Sequence, residues 1–226
     1  MTGSVVLFDI DGTLMRGAGD HHKRALVEGI SKVTGIGTTL EGVSTSGMLD
    51  RDLIADMLRA AGESERSVRS RLAQIMVECQ CAYERNCRID LSPFVCAGAR
   101  ELLTELKARG AVLGLVTGNL SAIGWRKMEL AGLRDYFSVG AFAEDGHTRA
   151  GLARVAAKRA AERFGVQRKA RISLIGDHAN DILAAKANRF QAIAVATGMM
   201  PLDELAVFKP DILVRSLGEL DPATLV

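Results

Sequence analysis

No stretch of this 226-residue chain reaches 18 consecutive apolar residues, so no membrane-spanning helix is expected. Met1-Thr2-Gly3-Ser4 lacks the basic start and apolar core of a secretory leader, and a cytoplasmic location is the expectation. An excess of one charge is also missing. The 29 Lys and Arg are set against 27 Asp and Glu along the whole chain, a net charge of +2 that excludes the electrostatic footprint of a nucleic-acid-binding protein. The densest basic run, Arg168-Lys169-Ala170-Arg171, is read as a solvated loop between a helix and a strand. Cysteine is scarce. Cys79, Cys81, Cys87 and Cys96 lack the paired Cys-x-x-Cys spacing of a structural zinc site, and the first three fall in a helical pattern where buried thiols suffice. Internal repeats and low-complexity segments are absent too. Hydrophobic content of 48% and charged content of 25% are those of an ordinary globular protein. The length suits one domain, or one domain with an insertion, burying roughly 70% of its unfolded surface.

What is present begins at Val5-Val6-Leu7-Phe8-Asp9-Ile10-Asp11-Gly12-Thr13. Four apolar residues read as a buried parallel strand, and the run stops at two carboxylates and a glycine. Open α/β sheets bind ligands outside the carboxyl ends of their strands, which is where Asp9 and Asp11 stand. Residues two apart on an extended chain point the same way, so both acids reach one small volume, and Gly12 permits a sharp exit. Crowded carboxylates repel unless a cation lies between them, and Mg²⁺ is a hard, oxygen-seeking candidate.

Strand rhythm is then lost for about 75 residues, a distance read from the helical spacing of the apolar residues. Asp20 can cap a helix carrying Leu26, Ile30 and Val33 that ends near Gly35, and a loop follows over 35–47. Asp50 can cap a second helix, which Gly62 closes. A third runs from about Ser64 to Cys87, with Val68, Leu72, Ile75, Cys79 and Tyr83 on one face. These three helices are expected to form an inserted unit, residues 16–92, on a core of 1–15 and 93–226. From Pro93 helix and strand alternate, which predicts a Rossmann-like α/β parallel sheet with helices on both faces. Its strands include 111–116, ending at Thr117-Gly118-Asn119, and 172–176, ending at Asp177 with Asp181 four residues on. Acids and hydroxyls thus gather at three strand ends.

The strand followed by Asp9-Ile10-Asp11-Gly12-Thr13 resembles the signature of the haloacid dehalogenase superfamily, and Thr117 and Asp177 match its later motifs in order. The resemblance covers essentially the whole chain, and the helical insertion is similar to the small α-helical cap of phosphoglycolate phosphatase-like members. It implies that Asp9 is a nucleophile forming an aspartyl-phosphate and that Asp11 is the general acid and base. It further implies that Thr117 and the amides of Gly118 and Asn119 bind phosphoryl oxygens. Mg²⁺ would be held by Asp9, the Asp11 backbone carbonyl and Asp177, with Asp181 in support. The family's usual Lys-Pro pair is absent. Arg149 is the best positional match for its phosphate-neutralising cation, and Lys158 is the alternative. His178, where the family often has Thr or Ser, is read as a local hydrogen-bond change.

The activity so implied is a Mg²⁺-dependent phosphatase acting on a small phosphorylated metabolite. A β-phosphoglucomutase-like phosphomutase is the alternative, and a non-catalytic binding relative ranks third. Dehalogenation is disfavoured, because it needs neither a second acid nor a metal. The oligomeric state is left open. Similar proteins often read Gly-Lys-Thr-Asp before the second cap helix, whereas this chain reads Gly47-Met48-Leu49-Asp50. Met48 is therefore expected to meet a leaving group that is less anionic than phosphoglycolate and partly apolar.

Overall fold

Strand β1 (Ser4–Phe8) is buried along its whole length, as four apolar residues in series require of a strand covered on both faces. It lies at the centre of the sheet in a computed structural model that describes residues 3–40, 43, 45, 47–166 and 170–226. The other strands are β2 (Val112–Val116), β3 (Val139–Ala141), β4 (Arg171–Gly176), β5 (Gln191–Val195) and β6 (Ile212–Val214). All pair in parallel in the order β3-β2-β1-β4-β5-β6. The chain winds outward from β1 in one direction and then returns to start β4 on its other side. That reversal makes the β1/β4 junction a topological switch point, where the crevice of an open α/β sheet opens. Phe8 is level with both Leu115 and Ile175, so Asp9 emerges beside the ends of β2 and β4.

Helices α1 (His21–Thr34), α2 (Asp50–Ala60) and α3 (Glu65–Asn86) follow β1. Helix α1 lies along α3 and buries Leu26 and Ile30, while α3 buries Val68, Ile75, Cys79 and Tyr83. A Cβ at Gly29 would collide with the Cys79 backbone, so the two helices owe their close approach to that glycine. The remaining helices are α4 (Ala99–Ala108), α5 (Ser121–Leu130), α6 (Arg149–Phe164), α7 (Ala179–Ala187) and α8 (Leu202–Val207).

Helix limits follow the predicted ones closely, but two caps differ. Gly35 ends α1 in the left-handed conformation (φ 73°), as expected, and Ser64 caps α3 by accepting from the Ser67 N–H. The Asp20 side chain makes no capping bond to α1. Asp50 is the first residue of α2 rather than its cap, and its carboxylate is drawn to partners on other elements. In the basic run, Arg168 and Lys169 lie outside the described residues, and Arg171 is the first residue of β4 rather than part of a loop. Cys79 and Cys87 are buried free thiols, and Cys81 and Cys96 are partly buried. No helix among the described residues is long and apolar enough to cross a membrane.

Candidate active site

Asp9, at the end of β1, shares a buried volume with Asp177 and Asp181, and their carboxylate oxygens lie within 4.8 Å of one another. Asp177 leaves β4 and Asp181 lies in the first turn of α7, so the switch point gathers all three. Arg149, the first residue of α6, is buried among them. Its Nη1 donates to Asp9 Oδ1 (3.0 Å) and to the Val116 carbonyl (3.2 Å), and its Nε lies 3.2 Å from Asp181 Oδ1. Neither that Nε nor Asp181 Oδ1 completes a hydrogen bond, although both are buried.

Three acids around one cation are poorly compensated. Burial pushes the Asp9 carboxyl up to about 7, with Arg149 opposing and Asp181 and Asp11 adding to the rise. Burial, Asp9 and Asp181 push Asp177 up to about 8, and burial also raises Asp181. Burial works against the charge of Arg149, but Asp9, Asp181 and Asp177 outweigh it and hold the guanidinium protonated. The backbone is built tightly around these oxygens. A Cβ at Gly12, which has φ 90°, or at Gly198 would run into the Asp177 carboxylate, and one at Gly176 would run into Asp181. Thr13 Oγ1 donates to Asp177 Oδ1 (2.8 Å). The Asp11 main-chain carbonyl accepts no hydrogen bond among the described residues. An orphaned buried carboxylate oxygen, two further acids and a free carbonyl form a hard oxygen donor set, and these residues fit a small divalent cation such as Mg²⁺.

Asp11 faces the other way. Its side chain is 47% exposed to the cavity and is bound by Lys127 of α5, whose Nζ lies 2.7 Å from each carboxylate oxygen. Asn119 Nδ2 donates to the same carboxylate (2.7 Å) and to Thr117 Oγ1 (2.7 Å). The surrounding protein raises the Asp11 pKa, but Lys127, His22 and Asn119 outweigh it and bring the carboxyl below its ordinary value. Thr117 Oγ1 also accepts from the Asn119 N–H (3.3 Å), which leaves its own O–H free to donate. The Gly118 N–H has no acceptor among the described residues. Both the amide and the side chain of Asn119 are engaged within the protein.

The segment before α2 lies across these loops. The Asp50 N–H donates to the Gly118 carbonyl (2.8 Å), and a Cβ at Gly118 would strike the Met48 carbonyl. Asn180 Nδ2 donates to the Gly47 carbonyl (2.9 Å), and Gly47 packs on the His178 ring so closely that no side chain fits there. His178 Nδ1 accepts from the Asn180 N–H (3.2 Å) at the start of α7, the local hydrogen-bond role expected of it. Burial lowers its pKa, and Arg149 adds to the effect. The cavity between these loops and the sheet has a volume of about 670 Å³ and includes Asp9, Asp11, Thr117, Met48, Arg149 and Asp177 in its wall.

The structure thus brings Asp9, Asp11, Thr117, Gly118, Asn119, Arg149, Asp177 and Met48 to one cavity, with Asp181 buried beneath it. Lys158 is not among them: its side chain is 74% exposed in mid-α6, 3.7 Å from Glu162. Sequence reasoning missed Lys127, His22 and the long-range role of Asp50. A signal for Lys127 was present, because it follows Ile123 by four residues and precedes Met128 on the buried stripe of α5.

Comparison with known proteins agrees with this architecture. A family model for haloacid dehalogenase-like hydrolases matches residues 4–188. The chain is 25% identical over 225 residues to the Probable phosphatase IndB of Dickeya dadantii (strain 3937), covering 96% of this chain and 91% of that protein. A β-phosphoglucomutase from Clostridium difficile superposes with a TM-score of 0.68 at 19% identity, covering 98% of this chain and 94% of its own. A predicted phosphoglycolate phosphatase from Haemophilus somnus 129pt gives 0.65 at 19% identity, with 96% and 95% covered. At that identity the two structures attest the fold alone. The motif order, the parallel sheet and the family match together place this chain among the haloacid dehalogenase-like hydrolases.

Proposed function

We propose that this chain is a cytoplasmic, Mg²⁺-dependent phosphatase that hydrolyses a small-molecule phosphomonoester through an aspartyl-phosphate on Asp9. The observation that carries this reading is the convergence of Asp9, Asp177, Asp181 and Arg149 at the switch point, with Asp11 held separately beside them. A carboxylate oxygen of Asp9 bonds to phosphorus as the ester P–O bond breaks, and the departing oxygen takes a proton from the carboxylic acid form of Asp11, a form that the Lys127 and Asn119 contacts disfavour until the phosphoryl group is bound. Water then attacks phosphorus, its proton passes to Asp11, and the Asp9–phosphorus bond breaks to release phosphate. The Thr117 O–H and the Gly118 N–H donate to the phosphoryl oxygens, and Arg149 offsets their charge. The Asp9 and Asp177 carboxylates and the Asp11 carbonyl, with Asp181 in support, would hold Mg²⁺, which supplies further neutralisation of the phosphoryl group.

In this assignment residues 16–92 are the cap domain and residues 1–15 and 93–226 the core. The cap places Met48 in the cavity wall, supporting a leaving group that is less anionic than phosphoglycolate and in part apolar. The same substitution supports hydrolysis over phosphomutase chemistry, which must hold a second phosphorylated, strongly anionic sugar. The test is phosphate release from a panel of phosphorylated metabolites, with Mg²⁺ and with a chelator. Mg²⁺-dependent release from a subset is the expected result, and no release from any member would overturn the assignment.

A further inference from the structure

We propose that Gln80 of α3 and Asp50 of α2 are positioning residues that hold the turn Thr117-Gly118-Asn119 in its phosphoryl-binding shape by capping α5; this rests on the reading of Thr117 and Gly118 as donors to the phosphoryl group. A helix leaves its first four N–H groups without partners inside itself. Helix α5 begins directly after the turn, and its N-cap is Leu120, whose side chain cannot accept a hydrogen bond. The missing acceptors come from elsewhere in the chain. Asp50 Oδ2 accepts from the Leu120 N–H (2.8 Å), Glu144 Oε1 from the Ser121 N–H (3.0 Å) and Gln80 Oε1 from the Ala122 N–H (2.8 Å). Gln80 Nε2 donates back along α3 to the Met76 carbonyl (3.3 Å), which leaves Oε1 turned toward α5.

The same contacts reach the turn itself. The Asp50 N–H donates to the Gly118 carbonyl (2.8 Å), so one residue binds the chain on both sides of Asn119, at Gly118 through its backbone and at Leu120 through its carboxylate. Asp50 is only 3% exposed, and its Oδ2 also lies 2.8 Å from His22 Nε2 of α1. The simpler account is that Asp50 and Gln80 merely fasten α2 and α3 to the sheet domain. Two features favour positioning. An apolar N-cap makes the start of α5 depend on borrowed acceptors, and two of the three come from α2 and α3. Their bonds fall on Gly118, Leu120 and Ala122, within four residues of the Gly118 N–H that meets the phosphoryl group.

The quantity to measure is the inhibition constant of inorganic phosphate, a probe with no leaving group, at saturating Mg²⁺. Gln80 lies outside the cavity wall, and Gln80→Met keeps the length of the side chain while removing the acceptor. A fraction of unfolded enzyme lowers the apparent kcat and leaves the inhibition constant alone, so this constant separates positioning from plain stability. One cap bond is worth about a fivefold shift in an equilibrium, and Gln80→Met should raise the constant roughly three- to fivefold. Thr117→Ala, which removes a direct donor, is run alongside and should raise it at least as much. If Thr117→Ala leaves it unchanged, the phosphoryl-binding reading of the turn fails, and the proposal with it. If Thr117→Ala raises it and Gln80→Met does not, only the positioning role fails. A second measurement needs no variant, so it decides the matter even if Gln80→Met does not fold. Coupling is reciprocal, and phosphate bound at the turn must strengthen the caps in return. In hydrogen exchange of the wild type, saturating phosphate should slow the Leu120 and Ala122 amides by about the same factor relative to those of α4. Equal slowing in both places, or none, would overturn the proposal.

Discussion

Two groups of carboxylates meet in one cavity, and they are treated in opposite ways. Asp9, Asp177 and Asp181 are buried around a single Arg149; burial raises all three, and repulsion from neighbouring acids adds to the rise at Asp9 and Asp177. Asp11 opens to the cavity and has its own ammonium and amide, which bring it below its ordinary value. The first group is short of positive charge and the second is not. A fold that needed these acids only as structural pairs would have matched each with a cation, because uncompensated buried charge costs stability. The deficit at the switch point instead suits residues that work with a divalent ion and a phosphoryl group, whereas the balanced Asp11 suits a group kept in a fixed place.

Breaking the two groups one residue at a time should produce the largest effects first. Asp9→Asn should abolish steady-state phosphate release, because the amide cannot form the aspartyl-phosphate, while one ligand oxygen for Mg²⁺ remains. Turnover at an appreciable fraction of the wild-type rate would sink the covalent route. Asp11→Asn should cost about 10²–10⁴-fold in kcat, and normal turnover there would leave the balanced group without a chemical role.

Next comes the cation. Arg149→Ala should depress kcat strongly, since it removes the guanidinium within 3.0 Å of Asp9, whereas Lys158→Ala on the exposed face of α6 should change little. A silent Arg149 variant would assign phosphate neutralisation elsewhere. This pair also shows what a single sequence can reveal. The strand ends were legible because a run of apolar residues stopping at an acid or hydroxyl needs only local pattern, and the same holds for helices α1 to α3. Arg149 was identifiable by its place at the start of a helix before β4. Lys127 was not, although it lies on the buried stripe of α5, because its partner Asp11 is 116 residues away and helix periodicity reports burial without naming what is met. Asp50 was misread as a cap for the same reason: its acceptors are used by Leu120 and His22 across the cavity.

Smaller, and measurable without a substrate, is the effect of pH on stability. Asp9 and Asp177 rise from an ordinary value of 3.8 to about 7 and about 8, so in that interval the folded protein holds protons that the unfolded chain has released. Stability without divalent ions is therefore greatest at low pH with respect to these groups and is lost as pH rises toward about 8. Mg²⁺ should raise Tm more at pH 8 than at pH 5, because it binds the deprotonated set. Asp177→Asn should raise the Tm of the metal-free protein at pH 8 by a few degrees, about 2–4 °C per kcal/mol for a chain of this size, and should reduce the Mg²⁺ response. A Tm indifferent to both pH and Mg²⁺ would show that the switch-point acids are not short of charge.

The smallest effect concerns the substrate and not the chemistry, and it tests whether the cavity's apolar wall has a function. Met48 lies between Gly47, which is fixed to Asn180, and Leu49, and its carbonyl sits against Gly118, so the backbone that carries it is held close to the loop that follows β2. Its side chain also packs partly against the hydrophobic core, and filling a gap there is a sufficient reason for a methionine. The two accounts separate in Met48→Lys. If Met48 only fills space, the longer-reaching ammonium should disturb packing and lower kcat/KM for every phosphomonoester alike. If it faces the leaving group, the new cation should add a charge-assisted contact of about 1.5–3 kcal/mol for a substrate with a second anionic group. The ratio of kcat/KM for phosphoglycolate to that for a neutral-tailed phosphomonoester should then rise about ten- to a hundredfold, since 1.4 kcal/mol corresponds to roughly tenfold. A wild type that already prefers phosphoglycolate by orders of magnitude, with a ratio unchanged in Met48→Lys, would show that the segment before α2 does not choose the leaving group.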